Sequence, residues 1–378
     1  MSRNLFFGIT SRVLMLIAAS LTFLSIASMF VNPARFWIAS VLGLLFVPLT
    51  ILDFILLIWA CKRKSKSFVI PLAALLPSVF FLGLYVRIPL NFNDTGAAEA
   101  QVEVNQVKAS RRKGDTLKVI SYNVGRFRLF DEDCNVADAS ACVDSICDFI
   151  RRESPDIVCL QEVYMKQSQT VRNLILPKLR GYNAEYYFFK TAKGYSGNLT
   201  LSRYPVMGKG KIKFDESTNL ALYTDYGIMG RQFRIYNCHF ESYNISFTGI
   251  VRSLFEPDSD VLVQTGGKMK RSMTRRPKQV DKVFSHIEDC QMESFVCGDF
   301  NDNPMSYTYY RMSRDRKDAF VDAGRWFGAT FSLLWPMLRI DYILYPDKYE
   351  AEEYAVPHIG FSDHYPVVTK INLGTFGK

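Results

Sequence analysis

SFVCGDFN, residues 294–301, decides the architecture. Phe295, Val296 and Cys297 form a short apolar run, and the chain then delivers a carboxylate, Asp299, and an amide, Asn301. Such a run reads as a buried strand with polar groups at its C-terminal end. Strand ends of this kind are where α/β sheets place ligands. The pattern repeats outward in both directions. Runs at 117–124, 157–163 and 233–240 carry Asn123 in SYNVG, Glu162 in LQEV and His239 in YNCHF. A run at 340–344 holds Asp341 in RIDYIL, and one at 365–371 follows Asp363 and His364 in SDHYP. A further strand is expected at 197–201, and helices at 141–152, 168–179 and 275–289. There is no repeat of fixed period, and the mixture of consecutive and alternating strands predicts a layered α/β domain whose helices cover two packed sheets.

The front of the chain follows different rules. Residues 13–31, 36–60 and 68–90 are apolar with almost no polar face, and each run is long enough at about 1.5 Å per residue to cross about 30 Å of hydrocarbon. The expectation is an all-α transmembrane segment of three helices within residues 1–91, a linker at 92–115, and a catalytic domain at 116–378. A cleaved signal peptide does not account for three runs. Asp53 lies inside the second run, where a carboxylate is costly and is expected to be protonated or paired between helices. Pro48, Pro71 and Pro77 fit kinks that neighbouring helices satisfy. Arg3 and Arg12 fall on one side with Lys62, Arg63, Lys64 and Lys66, leaving only Arg35 opposite. By the positive-inside rule that side is cytoplasmic, and three crossings then place the catalytic domain outside the cytoplasm, in the periplasm of a Gram-negative inner membrane.

Charge by region removes a first impression. The formal net charge is +9, yet residues 1–113 hold 12 of the 46 basic and 4 of the 37 acidic residues, leaving 34 against 33 for the rest. The catalytic part is nearly neutral and lacks the basic footprint of a polyanion binder. A local exception is Lys268, Lys270, Arg271, Arg275, Arg276 and Lys278, within a stretch from 242 to 282 that reads as a long irregular loop containing Gly266 and Gly267. None of the 8 cysteines forms a Cys-x-x-Cys pair, so a structural zinc site is not expected. Cys159, Cys238 and Cys297 sit in strand-like runs as small hydrophobes, while Cys134 and Cys142 flank a short polar loop and would suit a disulfide in an exported domain.

Taken singly, each polar strand end is a solvated terminus or a structural hydrogen bond. Together they are the inventory of phosphoester hydrolysis: hard oxygen ligands for a divalent cation, imidazoles for proton transfer and amides for phosphate oxygens. Mg²⁺ prefers one or two carboxylates completed by waters and substrate oxygens, which suits Glu162 with Asn123. The histidines then remain available for acid–base work or phosphate contact.

The order and wording of SYNVG, LQEV, GYSGNLTLSRYPV, YNCHF, GDFN, RIDYIL and SDHYPV resemble the endonuclease/exonuclease/phosphatase superfamily across about residues 116–372. The resemblance implies a four-layer α/β sandwich with two packed mixed β-sheets, the DNase I-like fold, and a Mg²⁺ or Mn²⁺ site. Carried over by residue, it implies Glu162 as the main metal ligand with Asn123 beside it and Asp363 completing the metal side. It implies Asp299 and Asn301 positioning the attacking water and a phosphate oxygen, and Asp341 orienting His364 toward the scissile phosphate. His239 would contact the phosphate or the leaving group, and Tyr195 matches a tyrosine near the scissile phosphate. Two positions depart from the abasic-site endonuclease pattern: Gly125 stands where that branch has an acid, and Cys238–His239 where it has Pro-Asn. The histidine form is similar to the secreted deoxyribonuclease, sphingomyelinase and inositol-phosphatase branches.

The expectation is a membrane-anchored, metal-dependent hydrolase of a phosphodiester or phosphomonoester, with a phospholipid, a nucleic acid or a small phosphorylated molecule as substrate. An apolar loop with Phe327, Phe331, Leu333, Leu334 and Trp335 favours a sphingomyelinase-like phospholipid activity, or simply packs on the sheet edge. The basic run favours a nuclease, anionic lipid, or plain solvation. A catalytically inactive scaffold would have lost Glu162, Asp299, Asp363 or His364, and all four are present.

Overall fold

A computed structural model describes residues 3–88, 116–128, 136–243 and 259–374. The expected linker at 92–115 and Cys134 lie outside these residues. Cys142 is buried, and its thiol donates to the Phe361 carbonyl at 3.0 Å. Contacts divide the chain into two units. One comprises Met1–Tyr85, Ser242–Asp281 and Asp302–Arg311; the other comprises Val86–Glu241, Lys282–Asn301 and Met312–Lys378.

The second unit contains the sheets. Its strands are β1 (Val86–Arg87), β2 (Thr116–Asn123), β3 (Ile157–Lys166), β4 (Asn183–Lys190), β5 (Gly194–Ser202), β6 (Val206–Lys213) and β7 (Leu220–Ile228), followed by β8 (Arg231–His239), β9 (Glu293–Asp299), β10 (Arg316–Asp318), β11 (Trp326–Phe327), β12 (Asp341–Pro346), β13 (Glu350–Ala355) and β14 (Val367–Asn372). Two six-stranded sheets run β13-β14-β2-β3-β5-β4 and β10-β12-β9-β8-β7-β6, and β1 pairs with β11 apart from them. Each large sheet has one central parallel pair, β2 with β3 and β8 with β9, flanked by antiparallel neighbours. Parallel pairs bury both faces, which is why nearly every position in the C-terminal halves of these strands is buried.

The core between the sheets is built from Leu117, Val119, Ile157 and Cys159 on one side and Phe233, Ile235, Phe295, Cys297 and Ile343 on the other. Helix α5 (Val136–Glu153) lays Ile146, Phe149 and Ile150 against Ile120, Tyr122, Val158 and Leu160 on the outer face of the first sheet. The expected helix at 168–179 is one turn, α6 (Val171–Leu174), started by a Thr170–Asn173 capping box and followed closely by Pro177. On the outer face of the second sheet lies the C-terminal part of α7 (Ser259–Glu288), where Tyr236 Oη meets His286 Nδ1 at 2.9 Å. The four-layer sandwich expected from the motif order is the fold observed.

α7 corrects one expectation, because the stretch read as a basic loop is helical from Ser259 onward despite Gly266, Gly267 and Pro277. Met273, Arg276, Val280, Val283, Phe284 and Ile287 are buried at helical spacing, and that stripe outweighs the breakers. Of the basic residues, Arg276 is buried with Nη1 3.0 Å from Asp302 Oδ2 and 3.0 Å from Tyr243 Oη.

The other unit corrects the three spans. α1 (Arg3–Ser28) contains the one helix among the described residues that is by itself long and apolar enough to cross a membrane, Ile9–Ser28. The second run is a pair, α2 (Ile38–Leu44) and α3 (Phe46–Lys62), bent by 56°. Pro48 sits in the first turn of α3, where its missing N–H is tolerated but cannot bond back into α2. The third run gives only α4 (Val69–Leu82), after a short 3-10 turn at Lys66–Phe68, and the chain is already extended at Val86. At about 1.5 Å per residue a helix of this length falls short of the hydrocarbon core. Asp53 accepts a hydrogen bond from Thr22 Oγ1 at 2.6 Å, pairing α3 with α1 as expected of an acid there. Arg12 Nε donates to Ser67 Oγ at 3.1 Å, which brings the start of α1 to the basic turn between α3 and α4.

Candidate active site

Register brings three of the polar strand ends into one row. His239 closes β8 opposite Asp299, which closes β9 opposite Asp341, the first residue of β12. The other sheet contributes Asn123 at the end of β2, in register with Gln161 of β3. Glu162 follows Gln161 at an irregularity in the β3–β5 pairing and adopts φ +53°. That extra residue lets Gln161 point into the core while Glu162 faces the site.

Asp299 Oδ2 is the point of convergence. It accepts from Asn123 Nδ2 at 2.9 Å, across the seam between the sheets, and from Asn301 Nδ2 at 3.0 Å. His239 Nε2 lies 3.7 Å from the same oxygen and His364 Nε2 3.9 Å. Glu162 stands beside them, with Oε1 3.5 Å from Asn123 Nδ2 and 3.6 Å from His239 Nε2, and Oε2 3.2 Å from Arg126 Nε. On the far side Asp341 Oδ2 accepts from His364 Nδ1 at 2.9 Å, which fixes the tautomer and turns Nε2 toward Asp299.

The electrostatics follow from this packing. Burial pushes the Glu162 carboxyl up, but His239, Arg126 and His364 with the Asn123 amide outweigh it and hold Glu162 below the ordinary range. Asp299 is pushed up to about 6 by burial and by Asp341, against the pull of the two histidines and Asn123. Burial disfavours a charged His364, yet Asp341 and Asp299 prevail and carry it up to about 10. At neutral pH the site thus holds an ionised Glu162 and an imidazolium at His364.

Among the described residues, two sequence-predicted residues make no hydrogen bond to this cluster, although Asp363 adjoins His364 in the chain. Asp363 is exposed and accepts from Ser362 Oγ at 3.2 Å, while its carbonyl takes Ser332 N at 2.9 Å. Tyr195, at the start of β5 opposite Met165 and Lys190, is 36% exposed, and among the described residues no hydrogen bond or ion pair joins it to the cluster. Asn123 also uses its Oδ1, accepting from Gly125 N at 3.0 Å.

Sequence reasoning missed two features. The first is an amide layer beneath the site: Gln161 Nε2 donates to Asn237 Oδ1 at 2.8 Å, Asn237 Nδ2 to the Leu160 and Leu199 carbonyls at 3.1 Å, and Asn198 Nδ2 to the Asn237 carbonyl at 3.0 Å. All three are buried. Their signal was present in LQEV, SGNLT and YNCHF, as amides standing at core positions of strands. The second is the turn after SYNV. Gly125, Arg126, Phe127 and Arg128 have φ of +50°, +54°, +57° and +59°, a left-handed turn costing about 1–2 kcal/mol for each non-glycine residue. Phe127 is buried in the core under the first sheet and pins it. An ion pair whose arginine is 51% exposed, such as Arg126–Glu162, contributes at most about 1 kcal/mol, so the pair does not account for the strain.

The donor set fits a hard divalent cation. Carboxylates and an amide predominate, and Asp299, Asp341 and His364 alone offer ligand atoms within 4.8 Å of one another. Among the described residues, His239 Nε2 and Asp341 Oδ1 are buried without a hydrogen-bond partner, as expected where a ligand completes a site.

Comparison with known proteins agrees. Residues 120–364 match the Endonuclease/Exonuclease/phosphatase family, and residues 4–85 match a Domain of unknown function (DUF8431). The chain belongs to the endonuclease/exonuclease/phosphatase family, whose members are metal-dependent phosphoester hydrolases. Among solved structures, an endonuclease/exonuclease/phosphatase from Beutenbergia cavernae DSM 12333 superposes with a TM-score of 0.51 at 20% identity, covering 69% of this chain and 72% of that one. A member from Bacteroides vulgatus gives 0.51 at 18% identity, covering 68% and 99%. The human Nocturnin catalytic domain with bound sulfate anion gives 0.50 at 18%, covering 68% and 94%. These similarities concern the fold. No curated protein matches the chain.

Proposed function

We propose that the chain hydrolyses a phosphoester by in-line attack of water, with Glu162, Asn123 and Asp363 holding Mg²⁺ or Mn²⁺. The observation that carries this reading is the convergence of Asn123, Asn301, His239 and His364 on Asp299 Oδ2, with the low-pKa Glu162 alongside. When bound, the cation supplies charge neutralisation for the phosphoryl oxygens and the leaving oxygen. Asp299 takes the proton of the attacking water, its oxygen oriented by two amide donors. His364, held charged by Asp341, stabilises the charge developing on the phosphoryl group. Asn301, placed by its own backbone N–H on Asp299 Oδ1 at 2.8 Å, donates Nδ2 to the Phe240 carbonyl and to Asp299 Oδ2, and holds a phosphate oxygen by giving up one of these bonds. His239 addresses the phosphate or the leaving group, and Tyr195 stands further out as a substrate contact. An oxyanion bound by the Nocturnin domain is in keeping with a phosphate site on this fold.

For substrate, a phospholipid is the reading we favour. Phe327, Leu333, Trp335 and Met337 are exposed, while Phe331 packs on His364 with ring centroids 5.2 Å apart and Ser332 bonds the Asp363 carbonyl. The apolar loop therefore borders the proposed catalytic residues. A nuclease reading keeps the exposed Lys268, Lys270, Arg271 and Lys278 of the basic run, while Arg276 is committed to Asp302.

We further propose that the helices anchor the protein in a membrane. Leu14, Ile17, Leu24, Phe54, Ile55, Leu76, Val79 and Phe80 are exposed, an apolar belt larger than a soluble surface carries. Arg12 joins the basic turn, so both positive segments share one end, read as cytoplasmic. α4 leaves that end, and the catalytic unit that follows it is proposed to be extracytoplasmic.

The test is full-length protein with Mg²⁺ or Mn²⁺ against phospholipids, DNA, RNA, bis-p-nitrophenyl phosphate and sugar or inositol phosphates, beside His364→Ala and Glu162→Ala and an EDTA control. Turnover on at least one substrate, falling about 10³-fold or more in each variant, is expected. Hydrolysis that survives both substitutions removes the site assignment.

A further inference from the structure

The left-handed turn at 125–128 is held by buried Phe127 and aims Arg126 at Glu162. Strain of this kind persists where surroundings over-determine it, and it gathers at ligand clamps. Here buried Phe127 and the Phe127 N to Val124 carbonyl bond of 2.8 Å do the determining. Only position 125 is relieved by glycine. Glu162 is strained as well, at φ +53°, and its two oxygens have different neighbours. Oε1 faces Asn123 and His239, whereas Oε2 faces the half-exposed Arg126 guanidinium at 3.2 Å.

We propose that Arg126 is a phosphoryl-oxygen clamp that shares Glu162 with the divalent cation. With Glu162 engaged by the cation, the guanidinium turns its donors to a non-bridging oxygen of the phosphoester; with the cation absent, it neutralises Glu162. The planar fork suits a phosphoryl group. This inference rests on the reading of Glu162 as a metal ligand, and it makes cation and phosphate binding mutually reinforcing.

The experiment measures Mn²⁺ binding to the full-length protein by electron paramagnetic resonance, with and without orthophosphate, and orthophosphate binding to the Mn²⁺-loaded protein by calorimetry. Wild type, Arg126→Ala, Arg126→Lys and Glu162→Gln are compared. In wild type, phosphate tightens Mn²⁺ binding severalfold. Arg126→Ala is expected to bind Mn²⁺ about threefold more tightly without phosphate, to bind phosphate about tenfold more weakly, and to lose the coupling. Arg126→Lys, a point charge in place of a fork, falls between, and it carries the test should the alanine variant misfold. Unchanged phosphate affinity and coupling in both Arg126 variants, with Mn²⁺ binding lost in Glu162→Gln, overturn the clamp and leave the metal assignment standing. Wild-type Mn²⁺ affinity in Glu162→Gln overturns both.

Discussion

Glycine is required twice at position 125. Its φ is +50°, and a Cβ there would lie 2.8 Å from Ser362 Oγ and 3.1 Å from Asp363 Oδ1. This explains a departure visible in the sequence: an acid at this position would collide with Ser362 and repel Asp363. Gly125→Ala is expected to destabilise the fold by about 2–4 kcal/mol in urea titration, combining left-handed strain with displacement of a packed neighbour. His364 makes a second prediction. Its pKa rises from the ordinary 6.5 to about 10 on folding, so the folded state binds the extra proton. The stabilisation is complete below about pH 6.5 and is lost as pH rises through about 10. In EDTA, the difference in melting temperature between wild type and His364→Asn should therefore shrink over that interval. A difference independent of pH would show that the imidazolium adds nothing to the fold. Of the candidate site residues, Asn123, His239, Asp299 and Asp341 were legible because each ends or begins a strand, and Asn301 and His364 because they follow or precede one closely. Arg126 was not, since its importance lies in a backbone conformation that no residue type announces.

Elements were legible in proportion to how far both faces are buried. β2, β3, β8 and β9 stand out because most of their positions are buried around a short apolar run, whereas β4, β6 and β13 are edge strands, and β6 exposes Lys209, Lys211 and Lys213 by alternation. Edge strands carry charge to resist pairing with other chains, so they imitate loops. The opposite error occurred in α7, where glycines and a proline imitated a loop although a buried stripe begins at Met273, just beyond the glycines, and continues past Pro277. The amide layer between β3, β5 and β8 is the element-scale feature with the clearest energetic signature. Asn237→Ala would remove the shortest of the hydrogen bonds from Gln161 Nε2, which also reaches Ser121 Oγ and the Cys159 carbonyl, and the side-chain donor to the Leu160 and Leu199 carbonyls. A loss of about 2–4 kcal/mol is expected from stranded buried polar groups, read as a lowered urea midpoint with Mn²⁺ affinity at the site above largely retained. A loss below about 0.5 kcal/mol would mean that the layer is interchangeable with apolar packing.

At the scale of the whole molecule, hydropathy overcounted the spans because composition does not register where a helix stops. The bend before Pro48 and the exit from helix after Leu82 are matters of backbone geometry. Orientation is testable without settling the number of crossings. A C-terminal alkaline phosphatase fusion should be active and a C-terminal green fluorescent protein fusion dark; the reverse pair of results would put the catalytic unit in the cytoplasm. The Asn123–Asp299 hydrogen bond across the seam has a wider consequence. Neither sheet owns a complete site: one brings Asn123 and Glu162, the other His239, Asp299 and Asp341. With the site proposed above, catalysis becomes a property of alignment between two slabs, and a slip of one past the other by an ångström or so would silence the enzyme while both remained folded. Activity in such a protein serves as a vernier, registering misfit too small for any measure of secondary structure to detect.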